Sequence, residues 1–595
     1  MSSKANPLTR GKKQKALALL QRNQPAEAIP LLEQACRADR RDAEAWFMLA
    51  AAHQKLGAFA PATEAYRQSI TLRPDNAEAH YYLGNTCMAL GDAPGAIDAF
   101  RHAIRLRPNY LEAHINLGAL LELQKNHAAA ESCYREALRL EPRNAERHYN
   151  LGNALQSQER FEEAVAAYRQ SLSLRPAHAD TYNNLGNALA HLERHQEAVE
   201  CYEQALAIKR DLDEAWNNMG NALLSLRRID DAMRCYRHAL ALRPRYAKAL
   251  SNLGNAHRAR GEWDEAIACH RRALEVDPDD ADAHFNLAVL CLLRGDFREG
   301  WNEYQWLWRR EGTGRRPLVP SAWEGSDLCG KPVFLHAEQG LGDELFFLRF
   351  ASLLKARGAG RLTYRPKPKL ASLLSRVSVI DRLAAPDETP AADEMVFSVG
   401  DLPRLLGHSS AKETPSPLSL EPSPKSLDAV RRHLALLGPA PYFGVTWRGG
   451  KRGDEKVLYK EIPLDVLAQT LVPVSGTVLV LQRLPAAGEI DQFATALGRP
   501  VHDLSALNDD LESMLALLAL LDDYVGVSNT NMHLRAAVGK TARVLVPAPP
   551  EWRWMAEGKE SPWFPGFSVY RQGYDGSWEG AFDMLAADLQ QAFGR

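Results

Sequence analysis

Asp343 stands in the run Gly340-Leu341-Gly342-Asp343, where its neighbours suit it to act as a base. An apolar run of strand length, Pro332 to Ala337, precedes it, and a helical stretch from about Leu341 to Ala356 follows. Glycines at such a turn let a ligand approach the backbone closely, at the carboxyl edge where parallel sheets hold ligands. The other reading of Asp343 is a helix-capping carboxylate. A second group is cationic: Arg448 and Lys451 lie among glycines in Trp447-Arg448-Gly449-Gly450-Lys451-Arg452 after another strand, and Lys460 lies a few residues on. The third is Ser528-Asn529-Thr530-Asn531 with His533, at the opening of a helix whose first N–H groups would favour an anion. A base for a hydroxyl and a cradle for a diphosphate are what these residue types supply together. For the basic run the alternative is a solvated surface. No D-x-D or histidine cluster accompanies them, so no metal and no cofactor is expected.

These residues need a scaffold that brings distant turns together. From Pro332 onward, apolar runs of strand length alternate with helical stretches, the pattern of an α/β fold with a parallel sheet. A Pro- and Ser-rich segment, His408 to Ser426, interrupts the series and reads as a linker. A second series begins at Tyr442 and runs to a terminal helix. Two Rossmann-like halves are therefore expected, residues 315–425 and 426–595. The aromatic tail, Trp552, Trp554, Trp563 and Phe564, suits either stacking on a sugar or base or burial against the cap of the repeats or the hinge.

Residues 9–314 follow a different rule. Leu-Gly-Asn or a close variant returns every 34 residues, with Gly84, Gly118, Gly152, Gly186, Gly220 and Gly254 in one register. Small residues such as Ala96 and Ala103 and a large ring such as Phe100 keep fixed places in each block, as do prolines at its end. Repeats of this length stack helix pairs into a solenoid with a concave groove. Cys133, Cys201, Cys235 and Cys269 share one position, and His80, His114, His148 and His284 share another, so both sets read as packing residues. One periodic feature resists packing. The sixth position holds Asn116, Asn150, Asn184, Asn218, Asn252 and Asn286, and the ninth Asn85, Asn153, Asn187, Asn221 and Asn255. Asparagine is a mediocre helix former, so its recurrence on one face asks for a reason. A ladder for an extended peptide backbone is one; hydrogen bonds to adjacent repeats or water are the other.

Composition narrows the class. The chain has 595 residues, and 72 Lys and Arg nearly balance 74 Asp and Glu, which gives no electrostatic case for nucleic acid. No stretch reaches the about 18 apolar residues of a membrane span. Eight cysteines without a C-x-x-C pair argue against a disulfide scaffold or zinc cluster, so a reducing cytoplasm is the expected home.

The 34-residue pattern resembles the tetratricopeptide repeat, about nine units of it, and its asparagines resemble the ladder of protein O-GlcNAc transferases, whose amides hold an extended substrate. Two Rossmann-like halves resemble the GT-B glycosyltransferase layout. Gly340-Leu341-Gly342-Asp343 resembles the turn after the first strand in the ADP-heptose:lipopolysaccharide heptosyltransferase family, where Asp343 matches the catalytic base. The run from Val525 to Lys540 resembles that family's nucleotide-diphosphate signature, keeping His533 but placing Ser528 where the family has aspartate, and Asn529 and Thr530 for its hydroxyl residue and glycine. The resemblance implies an inverting, hexosyl- or heptosyl-type transferase of bacterial kind. Asp343 would be its base. Gly340, Gly342, Arg448, Lys451, Lys460, Ser528, Asn529, Thr530, Asn531 and His533 would hold a nucleotide sugar, and a protein acceptor would lie along the asparagines. The alternative is a repeat scaffold with a degenerate transferase-like domain that no longer catalyses.

Overall fold

The computed structural model describes residues 7–310, 322–323, 325–337, 340–449 and 460–594. Two compact units divide it, Met1–Leu242 and Arg243–Arg595.

The first unit consists of antiparallel helix pairs, from Pro7–Gln21 with Pro25–Ala38 to Asp213–Ser225 with Ile229–Leu242. A steric rule sets the pairing. A Cβ at Gly152 would stand 2.5 Å from the Tyr168 ring, and one at Gly186 or Gly220 would meet Tyr202 or Tyr236 as closely, at 2.6 and 2.5 Å. Only glycine lets the ring cross the first helix at that distance, which explains its fixed register. Tyr168, Tyr202 and Tyr236 are fully buried as a result. At the fourth position the ring nitrogen reaches the proline carbonyl six residues earlier: His80 to Pro74 at 3.1 Å, His114 to Pro108 at 2.9 Å and His148 to Pro142 at 3.0 Å. Trp216 donates in the same way to Arg210, at 3.0 Å. These rings tie down the turns between repeats. Cys133 and Cys235 are buried beside the large ring, and burial pushes these thiols and that of Cys201 up to about 11, so they pack rather than react.

The second unit opens with two more helix pairs, Ala247–Arg260 with Trp263–Val276 and Ala281–Arg294 with Phe297–Tyr304. The described residues thus contain nine pairs in all. In the ring position His270 replaces tyrosine; burial, with Arg258 nearby, pushes it down to about 3 and keeps it neutral. Two parallel sheets follow. The first comprises β1 (Val333–His336), β2 (Leu362–Arg365), β3 (Arg382–Leu383) and β4 (Met395–Ser398), in the order β3-β2-β1-β4. The second is built from β5 (Tyr442–Val445), β8 (Thr477–Val480), β9 (His502–Asp503), β10 (Asp523–Gly526), β11 (Arg543–Val546) and β12 (Ser568–Arg571), in the order β12-β11-β10-β5-β8-β9. Between β5 and β8 in sequence, β6 (Arg448–Gly449) and β7 (Lys460–Glu461) form a short antiparallel ribbon. Strands β1, β8 and β10 are buried along their whole length, as parallel strands covered on both faces must be.

The last helix pair belongs to this unit because its apolar side joins the α/β core. Leu292, Phe297 and Trp301 share one buried cluster with Phe346, Phe347, Trp552 and Trp563. Trp301 donates its indole N–H to His408 Nδ1 at 3.1 Å. The Pro- and Ser-rich segment expected as a linker is packed down: His408, Leu418 and Leu420 are buried, Leu420 N–H bonds to Ala537 at 2.9 Å, and Ser423 caps the helix Pro424–Leu437. Apart from a 3-10 turn at Ala411–Glu413 and the start of that helix it forms no regular element, yet its leucines fill the core between the sheets.

Candidate functional site

A cavity of about 400 Å³ lies where the carboxyl ends of both sheets face each other within the second unit. From the first sheet, the turn after β1 contributes Gly340, Leu341, Gly342 and Asp343, and the helix Leu341–Leu348 carries Asp343 in its first turn. From the second sheet, Thr446 and Arg448 come from the end of β5 and beyond, Lys460 from β7, Leu481 and Arg483 from beyond β8, and Ser528 to Asn531 with His533 from beyond β10. The loop after β11 adds Glu551 and Arg553. Every residue expected at the base and donor sites lines this cavity except Lys451, which lies outside the described residues.

Ion pairs knit the cavity wall together. Arg553 donates one arm to Asp343 Oδ1 and the other to Glu551 Oε1. Glu551 Oε2 accepts from Lys460 Nζ at 2.6 Å and from Ser528 Oγ at 3.0 Å. Burial works against a charge on Glu551, yet Lys460 and Arg553 outweigh it and hold the carboxyl far below the usual carboxylate range. The Arg553 guanidinium lies over the rings of Trp552 and Phe346, 4.4 and 4.7 Å from their centroids, which fixes its plane. Arg448 is engaged as well: Glu489 takes it bidentately at 2.7 and 3.1 Å, and Glu461 accepts at 3.4 Å.

The third group shows two kinds of work. Asn529 caps the helix Thr530–Ala537 by accepting from Met532 N–H at 3.2 Å, and its amide donates to Thr446 Oγ1 at 3.0 Å. His533 faces Gly342 so closely that a Cβ there would lie 2.9 Å from its ring. Burial first, then Arg553 and Arg349, pushes His533 well below its ordinary value, so it is a neutral imidazole. It can offer an anion one N–H but no charge. Behind Asp343, Glu344 is wholly buried and accepts from Tyr364 Oη at 2.7 Å and Lys367 N–H at 3.1 Å. Burial, only partly offset by these bonds, pushes its carboxyl up to about 7.

Sequence reasoning missed Glu551 and Arg553 as site residues. In Glu551-Trp552-Arg553-Trp554 the apolar residues alternate with charged ones, and both tryptophans are buried, so the rings pack rather than stack on a ligand. That alternation was the available signal. Glu551 places a carboxylate beside Ser528.

Along the repeats, the asparagines bond to one another. Asn116, Asn184 and Asn218 each donate to the ninth-position carbonyl of the preceding repeat, Asn85, Asn153 and Asn187, at 2.9, 3.0 and 3.0 Å. The ninth-position carbonyls of Asn153, Asn187 and Asn221 accept from Tyr168, Tyr202 and Tyr236, each at 2.8 Å. Asn150 lines a small pocket of about 170 Å³ with Tyr149, Arg175 and His178. Asn252, Asn255 and Asn286 occupy the equivalent places in the second unit, half-buried like the rest, while Asn221 is exposed.

Comparison with known proteins agrees with the helical half. The cytochrome c-type biogenesis protein H TPR domain matches residues 65–182, a tetratricopeptide repeat model 178–245, a TPR repeat model 254–293, and anaphase-promoting complex (cyclosome) subunit 3 residues 10–103. The chain thus carries tetratricopeptide repeats over residues 65–245 and 254–293, and such repeats suggest a protein-interaction scaffold. Protein FlbA of Caulobacter vibrioides is 28% identical over 327 residues, 51% of this chain and 54% of its own, so the chain spans about half the length of that relative. Among solved structures, MamA is 26% identical, covering 28% of this chain and 97% of its own with a TM-score of 0.27. A tetratricopeptide protein called YrrB is 24% identical, covering 32% and 97% with a TM-score of 0.28. No helix among the described residues is long and apolar enough to cross a membrane.

Proposed function

We propose that this chain is a glycosyltransferase that holds a protein acceptor along its repeats and transfers a sugar from a nucleotide donor in the cavity of its α/β unit. One observation carries the reading: a carboxylate from one parallel sheet faces cations and a helix amino end from another, at the carboxyl ends of both. Cavities of this size suit small-molecule ligands. In such a reaction the acceptor oxygen attacks the anomeric carbon as the bond to the diphosphate oxygen breaks, which inverts the configuration. Asp343 takes the acceptor proton; its Oδ1 is held by Arg553, and its Oδ2 lies against Gly340, 2.6 Å from where a Cβ would stand. Lys460, the N–H groups at the start of Thr530–Ala537 and the neutral His533 face the departing diphosphate. This reading keeps the GT-B-like layout, the division at about 314 and 425, the absence of a metal, and a cytoplasmic location, which the free cysteines support.

A second reading, a repeat scaffold with a silent transferase-like unit, is favoured by the ion pairs. Asp343, Arg448, Lys460 and Arg553 are each already engaged within the chain. Melting the full-length protein with a panel of nucleotide sugars separates the two, because a ligand of the native state raises its stability. The transferase reading expects one nucleotide sugar to raise Tm, and Asp343→Asn to keep that shift while transfer falls about 100-fold or more. A panel without any shift, or a mutant that transfers at the wild-type rate, would refute it.

A further inference from the structure

Glu551 lines the cavity, yet both its oxygens are occupied. Lys460 Nζ, Ser528 Oγ and Arg553 converge on it from three segments of the chain, the set of donors that a phosphate group would draw. Arg553 continues to Asp343, so anion and cation alternate across the cavity through Asp343, Arg553, Glu551 and Lys460. Arg448 is matched by Glu489 and Glu461. Of the cations lining the cavity, Arg483 has no carboxylate at ion-pair distance among the described residues.

We propose that Glu551 is a resident counter-anion that sets the charge of the ligand accepted here, favouring the diphosphate diester of a nucleotide sugar over the more highly charged free nucleoside diphosphate. The proposal rests on reading the cavity as a nucleotide-sugar site. An entering phosphate must displace Glu551 from its cations or sit beside it, and each added negative charge is opposed in either case. Screening is weak, since the Glu551 side chain is 14% exposed and that of Arg553 is 7%. Glu551 does not swing away freely, because its loop is anchored by the buried Trp552 and Trp554 on either side of Arg553. The free diphosphate left after transfer carries one charge more than the donor. Glu551 therefore weakens product more than donor and speeds release.

Titration calorimetry on the full-length protein tests this with three kinds of probe: inorganic pyrophosphate; UDP, GDP and ADP; and UDP-glucose, GDP-mannose and ADP-glucose. Glu551→Gln keeps the shape and an acceptor but removes the charge; Glu551→Asp keeps the charge. E551Q is expected to bind pyrophosphate about tenfold or more tightly than wild type, with a smaller gain for a sugar diester than for its free diphosphate, while E551D stays near wild type. Pyrophosphate bound no better by E551Q, or equally improved in E551D, overturns the role of Glu551. If pyrophosphate gains as expected but no nucleotide binds either protein, the nucleotide-sugar reading falls and the selection of anions by charge stands. Should E551Q fail to fold, wild type decides: a diester bound as tightly as its free diphosphate or better supports the proposal, and a diphosphate preferred tenfold overturns it.

Discussion

The ninth-position asparagines are hubs and the sixth-position ones are rungs, and this difference predicts unequal effects of the same substitution. Asn187 Oδ1 accepts from Tyr202 Oη at 2.8 Å and from Asn218 Nδ2 at 3.0 Å. Its change to alanine removes both bonds and leaves the hydroxyl of the buried Tyr202 without that acceptor. A lost bond is worth about 0.5 to 1.5 kcal/mol net, and an unsatisfied buried group costs about 1 to 3 kcal/mol. Replacing asparagine by alanine in a helix recovers about 0.5 kcal/mol. Asn187→Ala should therefore cost about 2 kcal/mol. Asn184→Ala removes one bond at 3.0 Å and two long ones at 3.3 Å, to Tyr149 and from Asn183, but Asn153 keeps its bond from Tyr168, so no buried tyrosine hydroxyl loses its acceptor. Its cost should be only about 0.5 kcal/mol after the same helix gain.

Hydrogen exchange read by mass spectrometry over the helices Ala179–His191 and Asp213–Ser225 measures this locally, without assuming that a chain of two units unfolds in one step. Asn187→Ala should speed exchange there by about tenfold or more, and Asn184→Ala by less than about threefold. Equal effects would refute the hub argument. Unchanged exchange in both, with lost binding of an acceptor protein, would mean that the amides serve the ligand and not the stack.

Two further outcomes follow from other contacts. Glu344 titrates near 7 in the fold against an ordinary 4.5, so the fold favours its protonated form; this stability is fully present below about 4.5 and is lost as pH rises through 7. The Tm advantage of Glu344→Gln over wild type should thus grow from pH 4.5 to 8, and a constant difference would refute the assignment. Gly152→Ala drives a methyl onto Tyr168 at 2.5 Å, and overpacking of about 1 to 3 kcal/mol exceeds the roughly 1 kcal/mol gained in helix propensity, so thermal melts should show a net loss.

The repeats were legible because one steric relation, glycine under a ring, recurs at fixed spacing and leaves its mark on every block. The asparagines were legible as periodic, but their partners were not. Whether Asn184 meets a ligand or Asn153 depends on how far one repeat rotates on the next, and that rotation is not written in any single residue. The alternating strands and helices announced two sheets, and the turns after β1, β5 and β10 line one cavity, since the carboxyl ends of parallel strands converge by topology. The loop after β11 escaped because its tryptophans drew the reading toward aromatic chemistry while the charged residues between them were the ones left facing the cavity.

That oversight bears on how the departure at Ser528 should be weighed. Read along the chain, Ser528 stands where the signature that this run resembles has an aspartate. Read in space, the Ser528 hydroxyl donates to a carboxylate at 3.0 Å, and Lys460 finds the same carboxylate at 2.6 Å. The acid beside Ser528 is carried by the loop after β11, and Arg553 of the same loop ties it to Asp343 on the other sheet. A carboxylate carried on its own strand would bring no such tether. The surroundings of Ser528 therefore hold an acid that is coupled to the proposed base, so that whatever displaces Glu551 also loosens Asp343.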